Sequence, residues 1–137
     1  MARVPLVKVD EINDPEILGI FAWVIEMEGK VPNHFAIEMN FPELMKSKLG
    51  FTKVLWETGE LSMDEIQHVG ILISKANNCR YCTGAFCTIL VHGLDGDKSY
   101  AEQLVTDGSV SITDHRLLAI VDFAGKVNEN ASTVNDE

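Results

Sequence analysis

Apolar positions recur along this chain mostly at spacings of three and four residues, the period of one face of an α-helix. Asn13-Asp14-Pro15 opens the first such run. Asp14 is suited to cap it, Pro15 fits the first helical position, and Gly29 is a natural stop. Ile17, Phe21, Val24 and Ile25 share its buried face. Asn33 opens a short helix to Met39, and Asn40-Phe41-Pro42 breaks it and starts a longer one ending near Gly59. Ser62-Met63-Asp64-Glu65 is a capping box, and the helix behind it carries Ile66, Val69, Gly70 and Ile73 as a stripe. Asn77-Asn78 interrupts, because both residues favour turns. A helix from about Cys79 to Gly93 follows, then one from Lys98 to Val105, then one capped by Thr113 that contains Leu117, Ile120, Val121 and Ala124. Val4 to Val9 is the one extended candidate, and Pro5 argues against a central strand. The expectation is an all-α compact bundle of six to seven helices forming a single domain over residues 1–137.

Length agrees: 137 residues suffice for one stable core. Thr133-Val134-Asn135-Asp136 repeats the helix-start pattern just before Glu137. It reads either as a frayed polar tail or as a chain lacking C-terminal helices, whose exposed apolar surface a partner subunit would cover.

Charge narrows the partners. Eleven basic against twenty-one acidic residues give a net charge of −10, which leaves no electrostatic footprint for nucleic acid or an anionic membrane. No apolar run is long enough to span a bilayer, and Met1 to Pro5 lacks the features of a signal peptide. The expected location is cytoplasmic, with thiols reduced.

The candidate chemistry lies in Asn77-Asn78-Cys79-Arg80-Tyr81-Cys82. Two cysteines at C-x-x-C spacing can close a disulfide, and a helix start lowers the pKa of a thiol placed there. Arg80 adds a positive charge, and Tyr81 could donate a hydrogen bond. Cys79, Cys82, Cys87 and His92 also spell a C-x2-C-x4-C-x4-H order that zinc could use. On a straight helix, however, Cys82 and Cys87 point about 140° apart, so a redox pair with Cys87 as a spectator is the better reading. No phosphate-binding loop, dinucleotide fingerprint or serine nucleophile elbow is present.

The stretch Leu61 to Leu94, a capped acidic helix, S-K-A-N-N-C-R-Y-C and a second apolar helix, resembles the AhpD-like (alkylhydroperoxidase D-like) branch of the carboxymuconolactone decarboxylase family. Thr113 to Val127 resembles the family's following helix more loosely. The resemblance implies an AhpD-like helical fold, a homo-oligomer (trimer or hexamer), and a peroxiredoxin-type antioxidant activity without metal or other cofactor. A hydroperoxide would be the substrate and a dithiol or thioredoxin-like protein the reductant. It implies that Cys82 attacks peroxide and Cys79 resolves the product.

Two positions depart from the family's proton relay: Gln67 stands at its glutamate position and Phe86 at its histidine position. Neither exchanges protons near neutral pH, so a weak peroxidase is expected. His68, beside Gln67, is the candidate replacement. The competing readings are a non-catalytic or redox-sensing family member and, by fold analogy, a decarboxylase.

Overall fold

The computed structural model describes residues 3–135. The described residues contain seven α-helices and no strand: α1 (Pro15–Glu28), α2 (Asn33–Glu38), α3 (Pro42–Thr58), α4 (Met63–Ala76), α5 (Arg80–Thr88), α6 (Lys98–Asp107) and α7 (His115–Asn130). The chain divides into two compact units, Met1–Glu60 and Leu61–Glu137.

In the first unit the local signals act as expected. The Asp14 carboxylate accepts from the amides of Glu16 and Ile17, and Gly29 closes α1 in the left-handed region at φ 74°. Ile17, Phe21 and Val24 of α1 meet Phe35 of α2 and Met45 and Leu49 of α3. Phe21 and Phe35 pack edge to face with ring centres 6.2 Å apart. The Val4–Val9 segment forms no strand. The Val7 amide donates to the Ala36 carbonyl and the Asn40 side chain donates to the Pro5 carbonyl, so α2 and its end satisfy this backbone.

The second unit carries the cysteines. Its core is Ile71 of α4, Leu90, Ala101 and Leu104, Ile112, and Leu117 and Val121 of α7. The capping box at Ser62 is complete: the Glu65 amide donates to Ser62 Oγ at 3.2 Å, and the Ser62 amide donates to Glu65 Oε2 at 2.8 Å. Glu65 also pairs with Arg116 Nε at 2.7 Å, joining the starts of α4 and α7.

Two boundaries differ from the sequence reading. Asp114, not Thr113, caps α7, because its carboxylate reaches the Leu117 amide at 2.7 Å. The helix begun at Arg80 continues with wider, π-type winding over Ile89–Gly93. The helix-start pattern at Thr133 extends to Asp136, which lies outside the described residues. Thr133 itself ends a 3-10 turn over Ala131–Thr133.

Candidate functional site

The turn between α4 and α5 sets the thiol geometry. Asn78 adopts φ 57°, a conformation asparagine tolerates better than most residues. Its amide returns to the Lys75 carbonyl at 3.0 Å, and the Cys79 amide reaches the Ser74 carbonyl at 2.9 Å. This is a Schellman closure with asparagine in the usual glycine place. Asn77 exchanges two amide hydrogen bonds with Asn128 of α7, at 2.9 and 3.1 Å. The same two residues that stop α4 therefore deliver Cys79 to the first cap position of α5.

Cys79 and Cys82 are both reduced and half-buried. Cys79 Sγ accepts the Cys82 amide at 3.4 Å, taking the place of a capping oxygen. The hydrogen bond with the Cys82 thiol, and then the amides of Cys82 and Tyr81, pull the Cys79 pKa below that of an ordinary thiol. The same thiol–thiol hydrogen bond, followed by burial and the neighbouring charge of Cys79, pushes Cys82 up. Cys79 is thus the more acidic thiol of the pair, and helix-start polarity acts in the same direction.

The candidate replacement base, His68, has hydrogen-bond partners of its own. His68 is 2% exposed. Its Nδ1 lies 2.8 Å from the Asp64 carbonyl, and its Nε2 lies 3.1 Å from the Tyr100 hydroxyl. A carbonyl only accepts, so Nδ1 carries the proton and Tyr100 donates to Nε2. Both ring nitrogens are thus occupied inside an Asp64–His68–Tyr100 cluster. The sequence reading missed Tyr100 and Asp64 as partners. Asp64 sits one helical turn before His68, a signal that was available.

Gln67 is fully buried. Its Nε2 donates to the Met63 carbonyl at 3.2 Å, while Oε1 has no hydrogen-bond partner among the described residues. Phe86 follows Cys82 by one turn and lies on Gly70, itself one turn from Gln67. An ideal Cβ on Gly70 would stand 2.4 Å from the Phe86 ring. An aromatic ring and an amide thus stand at these two positions of α5 and α4. Neither can take the Cys82 proton.

Tyr81 is exposed, with its amide serving Cys79. Cys87 is half-buried beside the core of this unit, and burial raises its pKa. Among the described residues no three His, Cys, Asp or Glu side chains gather as metal ligands. Cys79, Cys82, Cys87 and His92 therefore do not converge. No described helix is long and apolar enough to cross a membrane.

Comparison with known proteins found no matching family model, no matching curated protein and no matching solved structure.

Proposed function

We propose that this chain is an AhpD-like thiol–disulfide oxidoreductase that cycles Cys79 and Cys82 between dithiol and disulfide. The observation carrying this reading is Cys79 Sγ at the cap of α5, accepting the Cys82 amide and hydrogen-bonded by the Cys82 thiol. The resemblance alone would make Cys82 the attacking group. The direction of the two pKa shifts favours the reverse, with Cys79 attacking and Cys82 resolving.

Against a disulfide RSSR, the Cys79 thiolate forms a mixed disulfide and expels RS⁻. Cys82 then attacks the Cys79 sulfur, losing its proton, and the second RS⁻ leaves. The pair is oxidised, RSSR is reduced to two thiols, and an external dithiol or thioredoxin-like protein restores the pair. Against a hydroperoxide, Cys79 becomes a sulfenic acid and releases an alcohol. Cys82 condenses with it, releasing water. That route expels an alkoxide, a far more basic leaving group, which needs a proton donor at the departing oxygen. Gln67 and Phe86 supply none, so hydroperoxide reduction is the slower activity.

The same reading places the chain in a homo-oligomer. Its support is an open apolar groove of 780 Å³ between α4 and α7, bordered by Val69, Ile73, Ile120 and Phe123.

The test is thiol counting on the reduced protein after exposure to hydroxyethyl disulfide and, separately, cumene hydroperoxide. Two of the three thiols should disappear, faster with the disulfide. Cys82→Ser should stop at a mixed disulfide on Cys79, and Cys79→Ser should form none. Retention of all thiols overturns the reading; a mixed disulfide on Cys82 instead overturns the assignment of roles.

A further inference from the structure

The chain neighbours of Cys79 on both sides, Asn78 and Arg80, line a pocket of 660 Å³ that also takes in Lys75, Thr83 and Cys87. Its two charged residues are both cations, and no carboxylate borders it. This is unusual for a chain of net charge −10. Lys46, Lys48, Lys98 and Arg116 each pair with a carboxylate. Lys75 Nζ instead donates to a neutral acceptor, the Thr106 carbonyl, at 3.1 Å. That bond holds the ammonium in place and leaves two N–H groups. Arg80 has no carboxylate partner among the described residues. Thr83 is spent on the Cys79 carbonyl at 2.9 Å, so the charged groups left to meet a ligand are the two cations, with the Asn78 side chain beside them.

We propose that this pocket is a carboxylate subsite, and that the disulfide exchanged at Cys79 is an anionic one. The proposal rests on the dithiol reading above and specifies its substrate class. A guanidinium offers a planar fork that matches a carboxylate, and the anchored ammonium adds a second charge. Cys79 does not itself line the pocket, but both of its chain neighbours do, so a carboxylate held between Lys75 and Arg80 keeps the sulfur atoms of the same small molecule within reach of it. The attacking thiolate is itself negative, so local cations are what would bring an anionic reagent to it.

The sign of the preference is diagnostic. At long range the net charge of −10 repels anions and favours cations, and salt screens that field over about 10 Å at 0.1 M. Only a local site can invert the order.

The experiment compares oxidation of the reduced full chain by 3,3′-dithiodipropionate, neutral hydroxyethyl disulfide and cationic cystamine, each corrected for its rate with a free model thiol. The expected order is anionic, neutral, cationic, with about a tenfold span. The anionic-to-neutral ratio should collapse in the Lys75→Gln, Arg80→Gln double variant. A redox-silent arm uses suberate, the dicarboxylate in which two methylenes replace the sulfurs. Suberate should shift the backbone amide resonances of Asn78 and Arg80 in the wild-type protein and not in the double variant. If suberate binds this way and no disulfide oxidises the pair, the carboxylate subsite stands and the dithiol reading falls. A cationic preference, an anionic preference that survives in the double variant, or no suberate shift overturns the subsite.

Discussion

The Phe86 ring rests on the bare Cα of Gly70: an added Cβ there would stand 2.4 Å from Cδ1 and 2.5 Å from Cγ. Glycine costs a helix interior about 1 kcal/mol relative to alanine. At Gly70 that cost is offset by the close approach of α5, which brings the cysteine-bearing helix against α4.

The first prediction is a thermodynamic cycle on this contact. Gly70→Ala gains about 1 kcal/mol of helix propensity but drives Phe86 off its seat, at about 1–3 kcal/mol for overpacking. The net change is destabilising. In a Phe86→Ala background the clash is gone, and Gly70→Ala becomes stabilising. Urea midpoints of the four proteins measure the coupling, and additive effects would contradict the packing described.

A second prediction concerns the two thiols. Alkylation of Cys79 should follow a pH profile with its midpoint below that of an ordinary cysteine, and Cys82 should react only at higher pH. The sign follows from the hydrogen bonds. Amides and the Cys82 thiol stabilise the Cys79 anion, and that anion then disfavours a second charge on Cys82. Cys82→Ala removes the thiol donor, so the Cys79 midpoint should rise while remaining lowered by the amides. Mass spectrometry of peptides after timed iodoacetamide treatment separates the sites, and equal profiles would refute the ordering.

The turn before Cys79 gives a third. Asn78 sits at φ 57°. Asn78→Gly should be tolerated, whereas Asn78→Ala should cost about 1–2 kcal/mol from the left-handed conformation. Asn78→Ala should also slow alkylation of Cys79, because the same turn aims Cys79 at the Cys82 amide. Denaturation midpoints and alkylation rates on both variants check the two effects separately.

What could be read from the chain follows the range of the interaction involved. Asp14 with Pro15, Ser62 with Glu65, and Cys79 with Cys82 all act within four residues, and each element start they mark is found. Thr113 and Asp114 are adjacent candidates for one cap, and only the placement of the Leu117 amide chooses between them. The wider winding over Ile89–Gly93 leaves no mark in the apolar spacing. His68 reads as available in the sequence because Tyr100, the partner of its Nε2, lies thirty-two residues away. The spacing of the cysteines marks the pair but not which thiol is the more acidic, since that depends on which amide points at which sulfur. The Lys75 and Arg80 pocket needs α4, α5 and Val105 of α6 together, so no single stretch of sequence announces it.

The buried cluster supplies a fourth prediction. Tyr100→Phe deletes the donor to His68 Nε2 and leaves a buried acceptor unpaired. That should cost about 1–3 kcal/mol without changing Cys79 alkylation, because the His68 hydrogen bonds run to Asp64 and Tyr100 and not to a cysteine. Loss of thiol reactivity with little loss of stability would reconnect His68 to the site. The imidazole tautomer is open to long-range nitrogen–proton NMR, which should show the proton on Nδ1.

The last prediction installs what the site lacks. Phe86→His places an imidazole one turn after Cys82, and Gln67→Glu places a carboxylate one turn before Gly70, on which that ring would lie. The protonated imidazole can give its proton to the departing alkoxide. General acid–base assistance of this kind contributes about 10²–10⁴-fold where the geometry is right. An imidazole fitted to a site built for a phenyl ring should reach only the low end, about tenfold to a hundredfold in the rate with cumene hydroperoxide. Disulfide exchange should change little, because its leaving thiolate needs no proton. The variant should also be less stable: Gln67 is fully buried, and a carboxylate there loses its hydration unless the new histidine pairs with it. Gln67→Met should move stability the other way, since it removes a buried carbonyl oxygen that has no donor. Stopped-flow thiol loss with both oxidants, alongside urea denaturation, separates the effects. An equal rise in both oxidation rates would show that proton transfer is not what limits hydroperoxide reduction here.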